Sequence, residues 1–238
     1  MSSQIEQLMD KRLEDEKEKS SLEIRMLQAQ INPHFLYNTL DSIKWIAVIQ
    51  KNSGIVKAVT ALSKLLKNMA KGVDQRVTLR EELDFVRDYV TIEKLKYVEM
   101  FDLEVDIGEE ILYEARIVKL TLQPLVENAI FHGLEPKRDK GSVQVTGRLA
   151  GDYAAFEVVD DGVGMDAGKV AHLQSLINQQ ESVEGYALYN VHHRLLHTYG
   201  PECGLRIESE VGVGTKVSFQ IPLIPYNEDK LLDNGKED

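Results

Sequence analysis

The period of apolar positions changes along the chain, and each change marks a different element. Residues 1–27 are dense in charge, with KRLEDEKEK at their centre. Ile5, Leu8, Leu22 and Met26 fall on one heptad seam, but the same seam passes through Arg12, Asp15 and Lys19. A strong coiled coil keeps its seam positions apolar. This stretch reads as a helical linker, and a solvated helix and a weakly paired one both fit it. After His34, Leu36, Leu40, Ile43 and Ala47 recur at intervals of four, three and four, which is one face of a helix. Lys51-Asn52-Ser53-Gly54 is turn chemistry. Ile55, Val59, Leu62, Leu66 and Met69 form a second amphipathic run, which Gly72 can end. Two such helices make a hairpin with little to bury against except another copy. A homodimeric four-helix bundle is therefore expected.

Thr78 has the place of an N-cap, with Glu81 three residues on, and Leu79, Leu83, Val86 and Val90 mark the helix that follows. From residue 101 the period falls to two. Leu103, Val105 and Ile107 alternate, as do Val143 and Val145, Phe156 and Val158, Leu205 and Ile207, and Val217, Phe219 and Ile221. These are half-buried strands, with helices expected near 116–132 and 187–199. Strands and helices out of simple alternation predict an α+β sandwich. The expected organisation is a linker over 1–27, a helical hairpin over 28–75, an α+β domain over 76–223 and a polar tail over 224–238.

Composition narrows the choice of function. The 238 residues, 43% of them hydrophobic, can build a sizeable core. A net charge of −11 argues against a basic nucleic-acid-binding surface. The single cysteine, Cys203, forms no internal disulfide, which fits a reducing compartment. There is no zinc-type Cys/His spacing, no leader and no apolar run of bilayer length.

Chemistry concentrates in a few segments. QINPHFLYNTL, residues 30–40, sets a proline directly before a histidine inside a helical pattern. LQPLVENAIFHG, residues 122–133, carries Glu127, Asn128 and His132 on an otherwise apolar helix. In VVDDGVGM, residues 158–165, an apolar strand runs into Asp160, then Gly162 and Gly164. An aspartate there can accept a hydrogen bond from a ligand amine, and glycines admit close backbone approach. EGYALYNVHHRL, residues 184–195, places a glycine before a helix whose N-terminal amides can bind phosphate. VGVGTKVSF puts Gly214 and Thr215 before a strand. Singly, these are a helix with one wet face, an Asp-Gly turn, a loop-to-helix junction and a hairpin turn. Their order and spacing together are far more specific.

Taken in that order, the segments resemble the cytoplasmic part of a bacterial sensor histidine kinase of the LytS/YesM type, over about residues 22–222. LQAQINPHFLYNTLDSI resembles the phosphoacceptor segment, LQPLVENAIFHG the N box of the GHKL ATP-binding fold, DDGVGM the G1 box, GYALYNVHHRL the G2 box and GVGT the last glycine motif. The resemblance implies ATP-dependent phosphorylation of His34, followed by transfer to an aspartate of a response regulator. It implies that Asn128 holds Mg²⁺ against the ATP phosphates and that Asp160, with Thr215 nearby, takes the adenine amine. Gly162 and Gly164 would shape the adenine and ribose edge, beside Met165. Residues 165–186 would form a lid. Gly185, Leu188 and Asn190 would face the phosphates, Gly214 would complete the last motif, and His132 would line the pocket. Asn38 would hydrogen-bond the His34 imidazole, and Glu127 is a candidate polarising group. It further implies membrane anchoring through an upstream segment absent from this chain, which itself is expected to be cytoplasmic.

The chain departs from the pattern in three places. The G2 box usually reads Gly-x-Gly-Leu, and here Ala187 stands at the second glycine. If that position needs a positive φ, alanine carries a conformational cost; a catalytically impaired nucleotide-binding module is the rival reading. Pro124 stands where GHKL ATPases carry a water-activating glutamate, which counts against the further rival, a free-standing ATPase. Phe35, not an acid, follows His34. Pro33 itself has two readings: a bend that exposes His34, or a residue in the first turn of a new helix, where proline costs little.

Overall fold

A computed structural model describes residues 33–69, 75–97, 100–179 and 187–223. The linker, Asn32, Gly72, Gly185 and the tail lie outside the described residues. The chain divides into two compact units, Met1–Ser63 and Lys64–Asp238.

The first unit holds α1 (Pro33–Ile49) and most of α2 (Ser53–Met69). The turn between them is a Schellman motif, in which Lys51 N–H donates to the Val48 carbonyl and Asn52 N–H to that of Ala47. The left-handed residue is Lys51, at φ 54°, rather than the nearby glycine. Asn52 then caps α2, its Oδ1 accepting from Ile55 N–H at 3.1 Å. Leu40, Ala47, Val59 and Ala61 are buried. Trp45, Ile46 and Ile49 are 68%, 55% and 79% exposed, so much of the apolar surface of α1 is uncovered within one chain.

In the second unit a short antiparallel pair, β1 (Arg76–Thr78) with β3 (Arg116–Val118), frames α3 (Leu79–Lys96). Thr78 and Glu81 form the expected capping box at the head of α3. A five-stranded sheet contains β2 (Phe101–Ile107), β4 (Gly141–Ala150), β5 (Tyr153–Asp160), β6 (Arg206–Glu210) and β7 (Gly214–Pro222), in the order β2-β4-β5-β7-β6. β2 runs parallel to β4, and the other pairs are antiparallel. Alternation sends Val143, Val145, Ala154, Phe156, Val158, Val217, Phe219 and Ile221 to one buried face. That face shares one core with Leu83 and Val86 of α3, Leu125 and Val126 of α4 (Leu122–Asn128), and Val191 and Leu195 of α6 (Ala187–Tyr199). The other face is polar, with Lys216 paired to Glu208 at 2.7 Å. The domain is the expected α+β sandwich.

Two features depart from the periodicity reading. The segment expected to be helical from 116 begins as strand β3, and the helix starts only at Leu122. The proposed lid segment contains α5 (Ala167–Ile177), whose Gln174 accepts from Ile207 N–H and donates to the Leu205 carbonyl. Those bonds tie this helix to the edge of the sheet.

Candidate functional site

Period two on β5 explains how an aspartate comes to sit under the helices. Ala154, Phe156 and Val158 point to the core, so Asp160 must point there too, at the end of the strand. It is 5% exposed, with Val143 and Thr215 as its register partners on the neighbouring strands. Burial pushes its carboxyl above the ordinary aspartate range, offset in part by backbone N–H donors from Gly162, at 2.9 Å from Oδ1, and from Thr215. Ser209, which sequence reasoning missed, knits the surroundings together. Its Oγ accepts from Met165 N–H at 2.9 Å, donates to the Gly214 carbonyl at 2.7 Å and lies 2.9 Å from Thr215 Oγ1.

α4 carries the second set of groups. Its last residue, Asn128, donates from Nδ2 to the Pro124 carbonyl at 2.7 Å. That bond orients the amide and leaves Oδ1 as its ligand-binding end. The helix then widens into a π-helical turn, Ala129–Leu134, a feature that recurs at functional sites. Gly133 lies in this turn, and the reading of the sequence missed its role. A Cβ there would come within 2.5 Å of Asp160 Oδ1, and a Cβ on Gly162 within 2.3 Å of the Gly133 backbone. Only glycines let the π turn and the loop after β5 meet. Gly162 is therefore buried beneath the site instead of shaping its edge. Gly164, at φ 64°, passes over the Glu210 carbonyl, where a Cβ would be 1.8 Å away.

These elements enclose a cavity of about 810 Å³, within the size range of small-molecule sites. Of the residues singled out in the sequence, Glu127, Asn128, His132, Asp160, Gly164, Met165, Leu188 and Thr215 line it. Lys169, His172 and Leu173 of α5 line it as well, and no sequence feature had marked them. Their signal was the helical spacing within the lid segment. Burial, then the neighbouring Glu93, raises the Glu127 carboxyl above its usual range, and His132 partly offsets this. Gly214 is buried behind Asp160, where a Cβ would meet the Asp160 carbonyl at 1.9 Å. Asn190 is exposed on α6 and does not line the cavity. Gly185 falls outside the described residues. Ala187 is the first residue of α6 and lines the cavity. His34 and Asn38 stand one turn apart on α1, in the first unit.

The donor set fits a nucleotide. A buried carboxylate, Asp160, lines the cavity together with Asn128 and the start of α6, Ala187 and Leu188. Among the described residues no cluster of three His, Cys, Asp or Glu side chains is placed to hold a metal. A magnesium ion here would take Asn128 and draw its other oxygens from phosphates and water, which matches its habits.

Two family models match the chain. "Histidine kinase" covers residues 22–101, and "Histidine kinase-, DNA gyrase B-, and HSP90-like ATPase" covers residues 114–225. Among curated proteins, the sensor histidine kinase YesM of Bacillus subtilis (strain 168) is 38% identical over 222 residues, 93% of this chain and 37% of that protein. The sensor protein kinase HptS of Staphylococcus aureus (strain bovine RF122 / ET3-1) is 31% identical over 227 residues, 94% of this chain and 43% of that protein. The chain thus spans well under half the length of these relatives. Of solved structures, the histidine kinase domain of the Erythrobacter litoralis EL346 blue-light activated histidine kinase aligns with a TM-score of 0.48 at 17% identity, over 86% of this chain and 99% of that one.

Proposed function

Because the chain belongs to the histidine kinase family, we propose that it is the cytoplasmic, ATP-using part of a two-component sensor kinase. In this reading His34 is the phosphorylated residue, and the phosphoryl group passes on to an aspartate of a response regulator. The observation that carries the reading is one cavity lined by Asp160, Thr215, Asn128 and Leu188, residues drawn from four separate motifs.

The chemistry follows from phosphoryl transfer in general. The protein must align a nucleophile with the γ-phosphorus and balance the charge that spreads over its oxygens. A neutral imidazole nitrogen of His34 supplies the electron pair. The new P–N bond forms as the bond to the β,γ-bridging oxygen breaks; ADP leaves, and the other ring nitrogen gives up its proton. Asn38, one turn along α1, is assigned to hold the imidazole in the attacking tautomer. Asp160 accepts the adenine amine, and Thr215, its partner in the β ladder, supports it. His132, Met165 and Gly164 wall the nucleotide, while Gly185 and Leu188 belong to its phosphate side; Asn190, which does not line the cavity, takes no part in this assignment. Asn128 would hold Mg²⁺, which supplies charge neutralisation on the phosphates when bound. Glu127, beside Asn128, is the candidate polarising group.

The exposed Trp45, Ile46 and Ile49 support pairing of two copies through the helical hairpin. Among the described residues no helix is long and apolar enough to cross a membrane. Membrane anchoring of the full-length protein is part of this proposal on the family resemblance alone.

The test is chemical. The chain incubated with ATP and Mg²⁺ should acquire one phosphoryl group per subunit at most, labile in acid and stable in alkali, on the peptide that contains His34. A phosphoryl group stable in acid, on a serine or threonine peptide, would refute the assignment.

A further inference from the structure

Residues 119–122 form the turn that launches the helix carrying Asn128, and two side chains from distant parts of the chain grip it. Glu82 of α3 is wholly buried and accepts hydrogen bonds from the N–H groups of Leu120, Thr121 and Leu122 at 3.0, 2.7 and 2.8 Å. Arg194 of α6 donates to the carbonyls of Lys119 and Leu120 at 3.2 and 2.5 Å. Three amides of the turn thus go to a carboxylate and two of its carbonyls to a guanidinium. Leu120 is held at both its N–H and its C=O, and its φ of 58° is a conformation that leucine rarely adopts.

Local sequence does not supply this grip. Thr121 stands at the N-cap of α4, but its hydroxyl donates backwards to the Val118 carbonyl at 2.6 Å and caps nothing. Glu82 does the capping from another helix. A buried carboxylate is a costly group unless it is fully hydrogen-bonded, and here it is spent on fixing one turn.

The two anchored helices are those that carry the phosphate side of the cavity. Asn128 stands six residues beyond Leu122 on α4, and Leu188 six residues before Arg194 on α6. Each is about 9 Å along its helix from the clamp. A shift at the turn tilts both arms, and so changes the gap between Asn128 and the start of α6. Asp160 and Thr215 sit on β5 and β7 and receive no bond from either clamp residue.

We propose that Glu82 and Arg194 are positioning residues. They set the separation between Asn128 and the N-terminal end of α6, and with it the fit of the site to the metal–polyphosphate part of a nucleotide. This deepens the ATP reading of the cavity and rests on it.

The experiment compares two probes, ADP with Mg²⁺ and adenosine, by equilibrium binding to the whole chain, with a melting temperature for every variant. The parent should bind both. Arg194→Ala should lose at least tenfold in affinity for ADP with Mg²⁺ while adenosine affinity stays within twofold. Arg194→Lys, whose ammonium can still donate to the two carbonyls, should recover most of the loss. Glu82→Gln should show the same split between probes as Arg194→Ala. If Arg194→Ala does not fold, Arg194→Gln, which keeps amide donors, serves for the same comparison. Equal weakening of both probes, or unchanged binding of ADP with Mg²⁺ in a folded variant, would overturn the positioning role and leave the nucleotide site standing. A parent chain that binds neither probe would overturn the nucleotide reading itself.

Discussion

Asp160, the proposed acceptor of the adenine amine, is buried at a cost to stability. It is buried, and burial raises its pKa, so its ionised form is disfavoured in the folded chain. The sign of the pH effect follows. With a folded-state pKa above 3.8, this group favours the fold at low pH, and that contribution is lost as pH rises through its folded value. Nucleotide binding runs the other way, because only the ionised carboxylate is a pure acceptor for the adenine amine. Asp160→Asn keeps an oxygen for Gly162 N–H but replaces acceptor capacity with a donor. It should leave the melting temperature of the nucleotide-free chain unchanged or higher. Adenosine affinity should fall about tenfold or more, on the order of 1.4 kcal/mol. Titration calorimetry beside a thermal melt checks both; a lower melting temperature with intact adenosine binding would show that the carboxylate is structural.

Gly133 belongs to the same scale and was harder to read. Asp160 stood out because an apolar strand ended in it. Nothing in AIFHGL tells that its glycine touches that aspartate 27 positions later, because the contact exists only once helix and sheet are stacked. Glu82 was legible in principle. It lies three residues after Leu79 and one before Leu83, on the apolar stripe of α3, and a charge on a buried stripe calls for a partner.

At the scale of elements, local chemistry was the easiest part to read. Thr78 and Glu81 announced the head of α3, and the capping box is present. Thr78→Ala should cost about 1 kcal/mol of stability in urea unfolding. The strands of the large sheet were found by period two, though their ends were not. The pair β1–β3 was missed because each strand has three residues, too few for a period to show. Turn chemistry was read over Lys51-Asn52-Ser53-Gly54, and within it the left-handed residue is Lys51. Lys51→Gly should therefore stabilise the turn by about 0.5–1 kcal/mol, seen as a higher midpoint in urea. A lower midpoint would mean that the lysine side chain contributes more than its backbone strain costs.

At the scale of the whole molecule the two units pose different problems. The α+β unit closes a core of its own, whereas the helical unit leaves Trp45, Ile46 and Ile49 exposed. A second copy of this chain is the proposed cover. Sedimentation should show a dimer for the parent and a monomer for the double variant Ile46→Asp with Ile49→Asp; a parent that sediments as a monomer would contradict the four-helix bundle. Order of motifs carried more of the functional reading than any single motif. The N box, the strand ending in Asp160 and the helix after Gly185 are each commonplace, and their convergence on one cavity is what the fold adds.

The central claim is that this cavity phosphorylates His34. The most direct measurement is incorporation of label from γ-labelled ATP with Mg²⁺, on the parent beside His34→Gln and Asn128→Asp. Label on the parent that is labile in acid and stable in alkali, and absent from both variants, is the predicted result. Label that persists in His34→Gln would place the nucleophile elsewhere, and a parent that binds nucleotide yet takes up no label would contradict the kinase assignment.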